Sequence, residues 1–290
     1  MTGIQPIQAS ARSPRVSAVR RLAKRAFRAA DRRFLVEGPQ GVAEALLLAE
    51  GGERSALLEL FVTAEAATRH TDVVRRVEAL SVPVHRVAGE VMSVLAQTVT
   101  PQGLLGVAAF RDVTLTEVVA MRPRLVAVLA AVRDPGNAGT VLRAADAAGA
   151  DAVVLTDSSV DPYNAKCVRA SAGSLFHLPF VTGVPASAAA AALRGAGLRL
   201  LAATATADRD LEQLADDGGL AGPTAWLFGN EAWGLPPEVQ ALADTAVRVP
   251  IHGRAESLNL AAAAAVCLYA SARAQRSPGG CRLTARPALP

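Results

Sequence analysis

Apolar residues in this chain fall into two alternating patterns. Short continuous runs such as Leu125-Val-Ala-Val-Leu-Ala-Ala-Val132 and Thr224-Ala-Trp-Leu-Phe228 are bounded by Gly, Pro, Asn and Asp, as buried strands are. Between them lie Ala-rich stretches with apolar positions at three- and four-residue spacing, which read as helices. Phe34-Leu35-Val36 opens the series as a strand, followed by a turn at Glu37-Gly38-Pro39 and a helix over 42–49. The pattern predicts strands at 57–62, 82–87 and 103–110 and helices at 64–80 and 90–97, so 34–110 is expected to form a small α/β domain. Residues 111–123 read as a linker.

From Arg124 the alternation restarts. Strands are predicted at 125–132, 152–156, 178–182, 198–203, 224–228 and 245–249, with helices at 138–149, 163–172, 186–195, 208–215, 236–243 and 257–274. Strand following helix in this way implies parallel βαβ units, so 124–275 reads as an α/β domain built on a parallel sheet. Three of its strands, at 125–132, 224–228 and 245–249, end in loops rich in Gly, Asn, Glu and Ser. In an open parallel sheet, the carboxyl ends of strands are where ligands bind. Ahead of all this, residues 1–13 read as disordered, and Pro14 to Ala30 as one basic helix with Val16, Val19, Leu22, Ala23 and Phe27 at helical spacing. The Pro/Gly-rich tail 276–290 also reads as disordered.

Composition narrows the function. Half of the 290 residues are hydrophobic, and Ala, Val and Leu dominate over aromatics, which suits helices packed closely on a parallel sheet. There is no uncharged apolar run long enough for a membrane-spanning helix and no apolar leader, so the chain reads as cytoplasmic, with no membrane partner. Cys167, Cys267 and Cys281 and the four histidines are scattered, without metal-ligand spacing, so no metal is expected. Charge is lopsided. Residues 1–33 hold nine Arg/Lys and one Asp, whereas the remainder holds 21 basic and 25 acidic side chains. A basic arm on a near-neutral body is the footprint of a polyanion binder; a solvated tail is the alternative. Arg20, Arg21, Lys24, Arg25 and Arg28 are the candidate phosphate contacts.

The common nucleotide signatures are missing. No G-x-G-x-x-G follows a predicted strand, neither Lys24 nor Lys166 sits in a P-loop, and there is no G-x-S-x-G elbow. Three other segments do match a known pattern. NAGTVLRAADAAGA (from Asn137), LFGNEAWGL (Leu227 to Leu235) and VPIHGRAESLNLAAAAAV (Val249 to Val266) resemble motifs 1, 2 and 3 of the SpoU/TrmH class of SPOUT RNA methyltransferases, in the expected order. FLVEGPQGVAEAL in the N-terminal unit resembles the small ribosomal-protein-like substrate-binding domain common in that class.

The resemblance implies transfer of a methyl group from S-adenosyl-L-methionine to a ribose 2′-hydroxyl of RNA. It also implies helices on both faces of the sheet, a deep trefoil knot over roughly 224–270, and a homodimer through the knotted domain. It assigns catalytic roles to Asn137, Arg143, Glu231, Ser257 and Asn259. It assigns cofactor contacts, largely through backbone, to Thr204, Gly229, Val249, Ile251 and Leu258. His252 and Arg254 become candidate RNA contacts.

The residues themselves leave alternatives open. A guanidinium group holds its proton, so Arg143 suits stabilising phosphate and a forming alkoxide better than acting as base; an ion pair with Asp146 is its structural alternative. Asn137 reads as a helix N-cap, a substrate contact or both. Glu231 is a solvated turn residue, a carboxylate orienting Asn137 or Arg143, or a proton relay. Ser257 is the N-cap of the last helix or a neighbour of the methyl group. Trp233 stacks on a base or is buried at a dimer interface. A separate N-terminal domain and basic arm favour rRNA, and within it 23S rRNA, over tRNA. A catalytically silent RNA-binding protein of the same fold, and an unrelated α/β nucleotide enzyme, are the alternatives from other classes.

Overall fold

The structure, a computed structural model, describes residues 13–276. The chain divides into two compact units. The described part of the first comprises residues 13–111 together with 163–176; that of the second comprises 112–162 and 177–276. Of the stretches expected to be disordered, 1–13 and 276–290, Ser13 caps a helix and Arg276 ends one, while 1–12 and 277–290 lie outside the described residues.

The first unit is built on a four-stranded sheet of β1 (Arg33–Glu37), β2 (Glu59–Val62), β3 (Val84–Arg86) and β4 (Leu104–Ala109), in the order β1-β4-β2-β3. β4 runs antiparallel to β1 and β2, while β2 and β3 are parallel. The helix expected over 64–80 is two helices, Ala64–Arg69 and Thr71–Ala79. The Thr71 hydroxyl donates to the carbonyls of Ala67 and Thr68, a local bond that competes with the helical ladder and breaks it at His70.

The basic arm differs from its expectation. Residues 14–31 form two short helices, Pro14–Arg20 and Arg25–Asp31, joined by one tight turn over Arg21–Ala23. Ser13 caps the first, accepting from the amide of Val16. Val16, Val19 and Leu22 are buried in one core with Leu35, Phe61, Val87, Val91 and Leu95. The segment is therefore part of the folded unit rather than a separate arm. Arg28 is removed from the exposed set: it is 4% exposed and donates to the carbonyls of Leu22 and Ala23 at 2.9 and 2.8 Å. Those carbonyls are left over by the helix break, and burial of the guanidinium satisfies them.

Segment 163–176 joins this unit through aromatic packing. Tyr163 stacks on Phe110 with ring centres 3.7 Å apart and lies 4.8 Å from Phe34, while Phe176 lies 6.1 Å from Phe34. The Tyr163 hydroxyl accepts from the amide of Arg111 at 2.6 Å. In a chain with so few aromatics, these four make a cluster of their own.

The second unit carries β5 (Leu125–Leu129), β6 (Ala152–Thr156), β7 (Phe180–Val184), β8 (Arg199–Ala203), β9 (Thr224–Phe228) and β10 (Thr245–Val247). Their order is β10-β8-β9-β5-β6-β7 and every pairing is parallel. β5, β6 and β9 are buried along their whole length, as strands covered on both faces must be. The chain moves from β5 outward to β6 and β7, then crosses to β8 on the far side and inserts β9 beside β5. The switch point between the two directions is thus the β5–β9 pair. β10 is shorter than the predicted 245–249, because Arg248 leaves the sheet to bond the carbonyl of Arg209. The expected linker contains a helix, Leu115–Ala120, closed by a reciprocal capping box between Thr114 and Glu117.

The helix Leu260–Arg276 packs against β9, β5 and the helix Pro135–Ala148. Its small side chains allow close approach, and the fully buried Trp226 of β9 donates its indole N–H to Ser271 at 2.9 Å. At its end, Gln275 donates to the carbonyls of Arg124 and Gly222. No described helix is long and apolar enough to cross a membrane.

One buried polar cluster in the first unit makes a stability prediction. Nε2 of His85 lies 3.2 Å from Glu59, and Arg15 lies 2.8 Å from the same carboxylate oxygen. Burial pushes the Glu59 carboxyl up, but the His85 hydrogen bond and the Arg15 charge outweigh it and hold the carboxyl below the usual glutamate range. A carboxyl lowered in this way stabilises the fold fully above the unfolded glutamate value, and that stabilisation is lost as pH falls through the folded one. Glu59→Gln is expected to cost about 1–3 kcal/mol at neutral pH in urea denaturation, with the difference from the wild type closing in acid. A difference that stays constant into acid would place the stabilisation elsewhere.

Candidate active site

The two strands at the switch point end together, Leu129 beside Phe228, so their loops leave the sheet side by side. The amide of Ala130 donates to the carbonyl of Phe228 at 2.8 Å, and Asn230 donates through Nδ2 to the carbonyl of Ala131 at 3.0 Å. Asn230 is 7% exposed and had no role assigned from sequence; it is the tie between the loops. Its Oδ1 also accepts from the amide of Ala232 at 2.8 Å. Asn230 and Gly234 exchange backbone hydrogen bonds of 2.8 and 2.9 Å, which closes the Gly229-Asn-Glu-Ala-Trp-Gly234 stretch into a tight turn.

The first helix at the site begins one turn earlier than expected. It spans Pro135–Ala148, and its N-cap is Asp134, whose carboxylate accepts from the amide of Asn137 at 2.8 Å. Proline at the first position fits, because it has no N–H to satisfy. Asn137 is therefore not the cap, and its side chain is released for other work. Its Nδ2 donates to Oε1 of Glu231 at 2.9 Å. Its Oδ1 accepts from Nδ2 of Asn259 at 3.2 Å. Asn259 in turn accepts at Oδ1 from the amide of Ala261 at 2.9 Å and so caps the last helix, which begins at Leu260. Ser257 is not that cap; it lies in the exposed loop before it.

One residue from each of the three motifs thus meets in a single chain of hydrogen bonds, Glu231–Asn137–Asn259. The capping bond at Asn259 fixes which end of its amide faces Asn137, and that fixes which end of Asn137 faces the carboxylate. Of the two partners considered for Glu231, Asn137 is the one it binds.

Arg143 is not in this network. It is exposed on the same helix, six residues beyond Asn137, which is about 240° around and about 9 Å along. The Asp146 carboxylate, its partner in the structural alternative, lies 2.9 Å from Nδ1 of His177.

The expected cofactor positions divide. Val249 and Leu258 line an open cavity of about 760 Å³ together with Glu212, Asp216, Pro250 and His252. Ile251, 38% exposed, is not part of that lining. The amide of Thr204 donates to the carbonyl of Val247 and joins β8 to β10. Gly229 is packed against its own turn: a Cβ there would sit 2.3 Å from the backbone of Gly234 and Leu235. The reason for glycine at this position is the close approach of the chain to itself. His252 lies 3.7 Å from Glu212, and Arg254 is exposed.

Of the phosphate candidates, Arg20, Lys24 and Arg25 are exposed, while Arg21 forms a double hydrogen bond to Asp31. Sequence reasoning passed over Arg133, whose guanidinium lies 5.2 Å above the Trp233 ring. Trp233 itself is 58% exposed in this chain.

Strand-end loops meeting at a switch point thus carry a carboxylate–amide network, with an exposed arginine further along the same helix. The SpoU rRNA Methylase family profile matches residues 124–269, and the MRM3-like substrate binding domain profile matches 13–106. The 23S rRNA (guanosine(2553)-2′-O)-methyltransferase RlmP of Bacillus subtilis is 30% identical over 261 residues, covering 90% of this chain and 96% of that protein. The AdoMet-bound rRNA methyltransferase of Sinorhizobium meliloti superposes with a TM-score of 0.77 at 29% identity, over 92% of this chain and 97% of its own. The SpoU methyltransferase AviRb of Streptomyces viridochromogenes, in complex with AdoMet, gives 0.76 at 26% identity, over 92% and 99%. The chain belongs to the SpoU rRNA methylase family. Its class is that of S-adenosylmethionine-dependent RNA 2′-O-methyltransferases.

The turn makes a direct test possible. Gly229→Ala forces Gly234 and Leu235 away, and is expected to destabilise the protein by about 1–3 kcal/mol and to displace Glu231 from Asn137. Thermal unfolding and methyl transfer should fall together; an unchanged melting temperature would mean that the turn relaxes without strain.

Proposed function

We propose that this chain methylates a ribose 2′-hydroxyl in 23S rRNA, using S-adenosyl-L-methionine as donor, with Asn137 at the centre of the catalytic site. The observation that carries the reading is the Glu231–Asn137–Asn259 network, which links the three family motifs. The relatives named as 23S rRNA methyltransferases support the choice of substrate.

S-adenosylmethionine, when bound, supplies an activated methyl group, so the protein need only position the ribose and manage one proton and one developing oxyanion. The cavity at Val249 and Leu258 is of a size suited to such a molecule. Its lining carries Glu212 and Asp216 beside Arg273, which suits a ligand bearing charges of both signs, and its apolar wall suits an adenine. The Asn137 amide has two donors and two acceptor sites, and the network uses one of each. One N–H and one lone pair remain to hold the ribose hydroxyl. Glu231 fixes that amide and offers a carboxylate for the departing proton. Arg143, on another face of the same helix as Asn137, stabilises the phosphate next to the target ribose, and Ser257, in the same motif as Asn259, contacts the substrate near the transferred group. Thr204, Gly229 and Ile251 contribute strand-end backbone to the cofactor.

The same reading assigns the first unit to RNA docking, with Arg20, Lys24 and Arg25 on phosphates and His252 and Arg254 contacting RNA nearer the chemistry. It makes the protein a cytoplasmic homodimer. Tyr269, 53% exposed on the last helix, supports a subunit contact there. It also places a trefoil knot over β9, β10 and that helix. The course of the chain supports this: β10 lies at the sheet edge, and the helix after it returns to pack on β9 and β5.

Tritiated methyl transfer to unmodified 23S rRNA and to tRNA, with nuclease mapping of the product, tests the reaction. Label in one rRNA ribose is expected; label in tRNA would replace the substrate, and no label with cofactor bound would leave an RNA-binding protein. Arg143→Ala is expected to abolish transfer while cofactor affinity by calorimetry stays within a few-fold. Normal turnover would remove Arg143 from the mechanism. Replacing Arg20, Lys24 and Arg25 together with alanine should weaken RNA binding and flatten the plot of log affinity against log salt by about two to three units of slope. An unchanged slope would show that these side chains do not meet phosphate.

A further inference from the structure

The two tryptophans of this chain differ sharply. Trp226 is fully buried and hydrogen-bonded to Ser271, whereas Trp233 is 58% exposed. A large aromatic left in water is the unusual case, and Tyr and Trp in that position mark binding surfaces. Trp233 is also held firmly. Its turn is closed by the two backbone bonds between Asn230 and Gly234, and is tied to the neighbouring loop through the carbonyl of Ala131. That neighbouring loop supplies Arg133, whose guanidinium lies over the indole at 5.2 Å. Two residues before Trp233 stands Glu231, bonded to Asn137.

We propose that Trp233, with Arg133 against its ring, is the platform on which a nucleobase of the substrate RNA stacks, so that the attached ribose is set at Asn137. The inference rests on the methyltransferase reading and adds a positioning group that the three motifs do not assign. The argument is one of matched chemistry. Every base has a π-face that an indole accepts regardless of sequence. The backbone beside that base carries a phosphate, for which Arg133 is the complementary charge. A second copy of this chain covering the ring would instead have to desolvate the guanidinium next to it, which is costly without a paired anion. An RNA partner uses both groups at once.

The full-length protein tests this with two readouts. In methyl transfer to an unmodified 23S rRNA transcript, Trp233→Ala is expected to raise the KM for RNA about tenfold or more, and Trp233→Phe to retain most of the wild-type value. Cofactor affinity by calorimetry should be unchanged in both. In the second readout, acrylamide quenches the exposed Trp233 emission of the wild type, and the same transcript should protect it. Trp233→Phe retains only the buried Trp226, so its emission should be insensitive to acrylamide with or without RNA. An unchanged KM in Trp233→Ala, or quenching of Trp233 that RNA does not alter, would overturn the proposal. If Trp233→Ala instead shifts the protein to monomer in light scattering with KM for RNA unaltered, the ring belongs to a contact between copies and the proposal fails. Should the wild type methylate neither rRNA nor tRNA, the reaction assigned above fails, while protection of Trp233 by RNA still decides whether a base stacks there.

Discussion

The register between β5 and β9 is the constraint on which the site depends. Leu125 pairs with Thr224 and Leu129 with Phe228, so two strands about a hundred residues apart in sequence finish level with one another. Because they finish level, the loop that begins the Asn137 helix and the loop that holds Glu231 leave the sheet as neighbours. Asn230 then ties the second loop to the first. A shift of one residue would turn the side chains of the strand to the opposite face and break that alignment. Both strands are buried throughout, so the apolar core on either side enforces the register. The polar site is thus positioned by packing, and its own hydrogen bonds decide only the last orientation of each amide.

The third member of the network arrives by a different route. Asn259 is held because it caps the last helix, and that helix is held because its small residues lie close on β9 and β5. Trp226 and Ser271 fix its depth. A capping side chain usually serves only its own helix. Here the acceptor oxygen serves the helix, and the amide nitrogen is left to reach Asn137.

Much of this arrangement was legible in the sequence. Continuous apolar runs located the central strands, because strands buried on both faces have no polar alternation to blur them. The family resemblance of the three motifs pointed to Asn137, Glu231 and Asn259, which meet in the structure, and equally to Arg143 and Ser257, which do not join them. Caps and breaks were not legible, because residues of equal capping power stand close together. Asp134 and Asn137 both cap well, as do Ser257 and Asn259, and only the fold decides between them. The break at His70 depends on where the Thr71 hydroxyl turns. The burial of Arg28 depends on carbonyls that the break at Leu22 and Ala23 leaves over. The helix Leu115–Ala120 is too short for periodicity to show, although its Thr-x-x-Glu signature was present.

Tyr163 and Phe176 carry one more lesson, about modularity. They belong to the first unit although more than fifty residues separate them from its end at Arg111. The stretch 13–106 that matches a substrate-binding domain would, if cut out, leave behind Phe110 and both of these rings, and Phe34 would lose the aromatic surface that covers it. The chain therefore cannot be read as two cassettes joined end to end. A recombination event that exchanged the N-terminal portion alone would carry an incomplete core, so the two portions are bound to change sequence together. Compensating substitutions are to be sought between Phe34 or Phe110 and Tyr163 before they are sought anywhere along the peptide that joins the units.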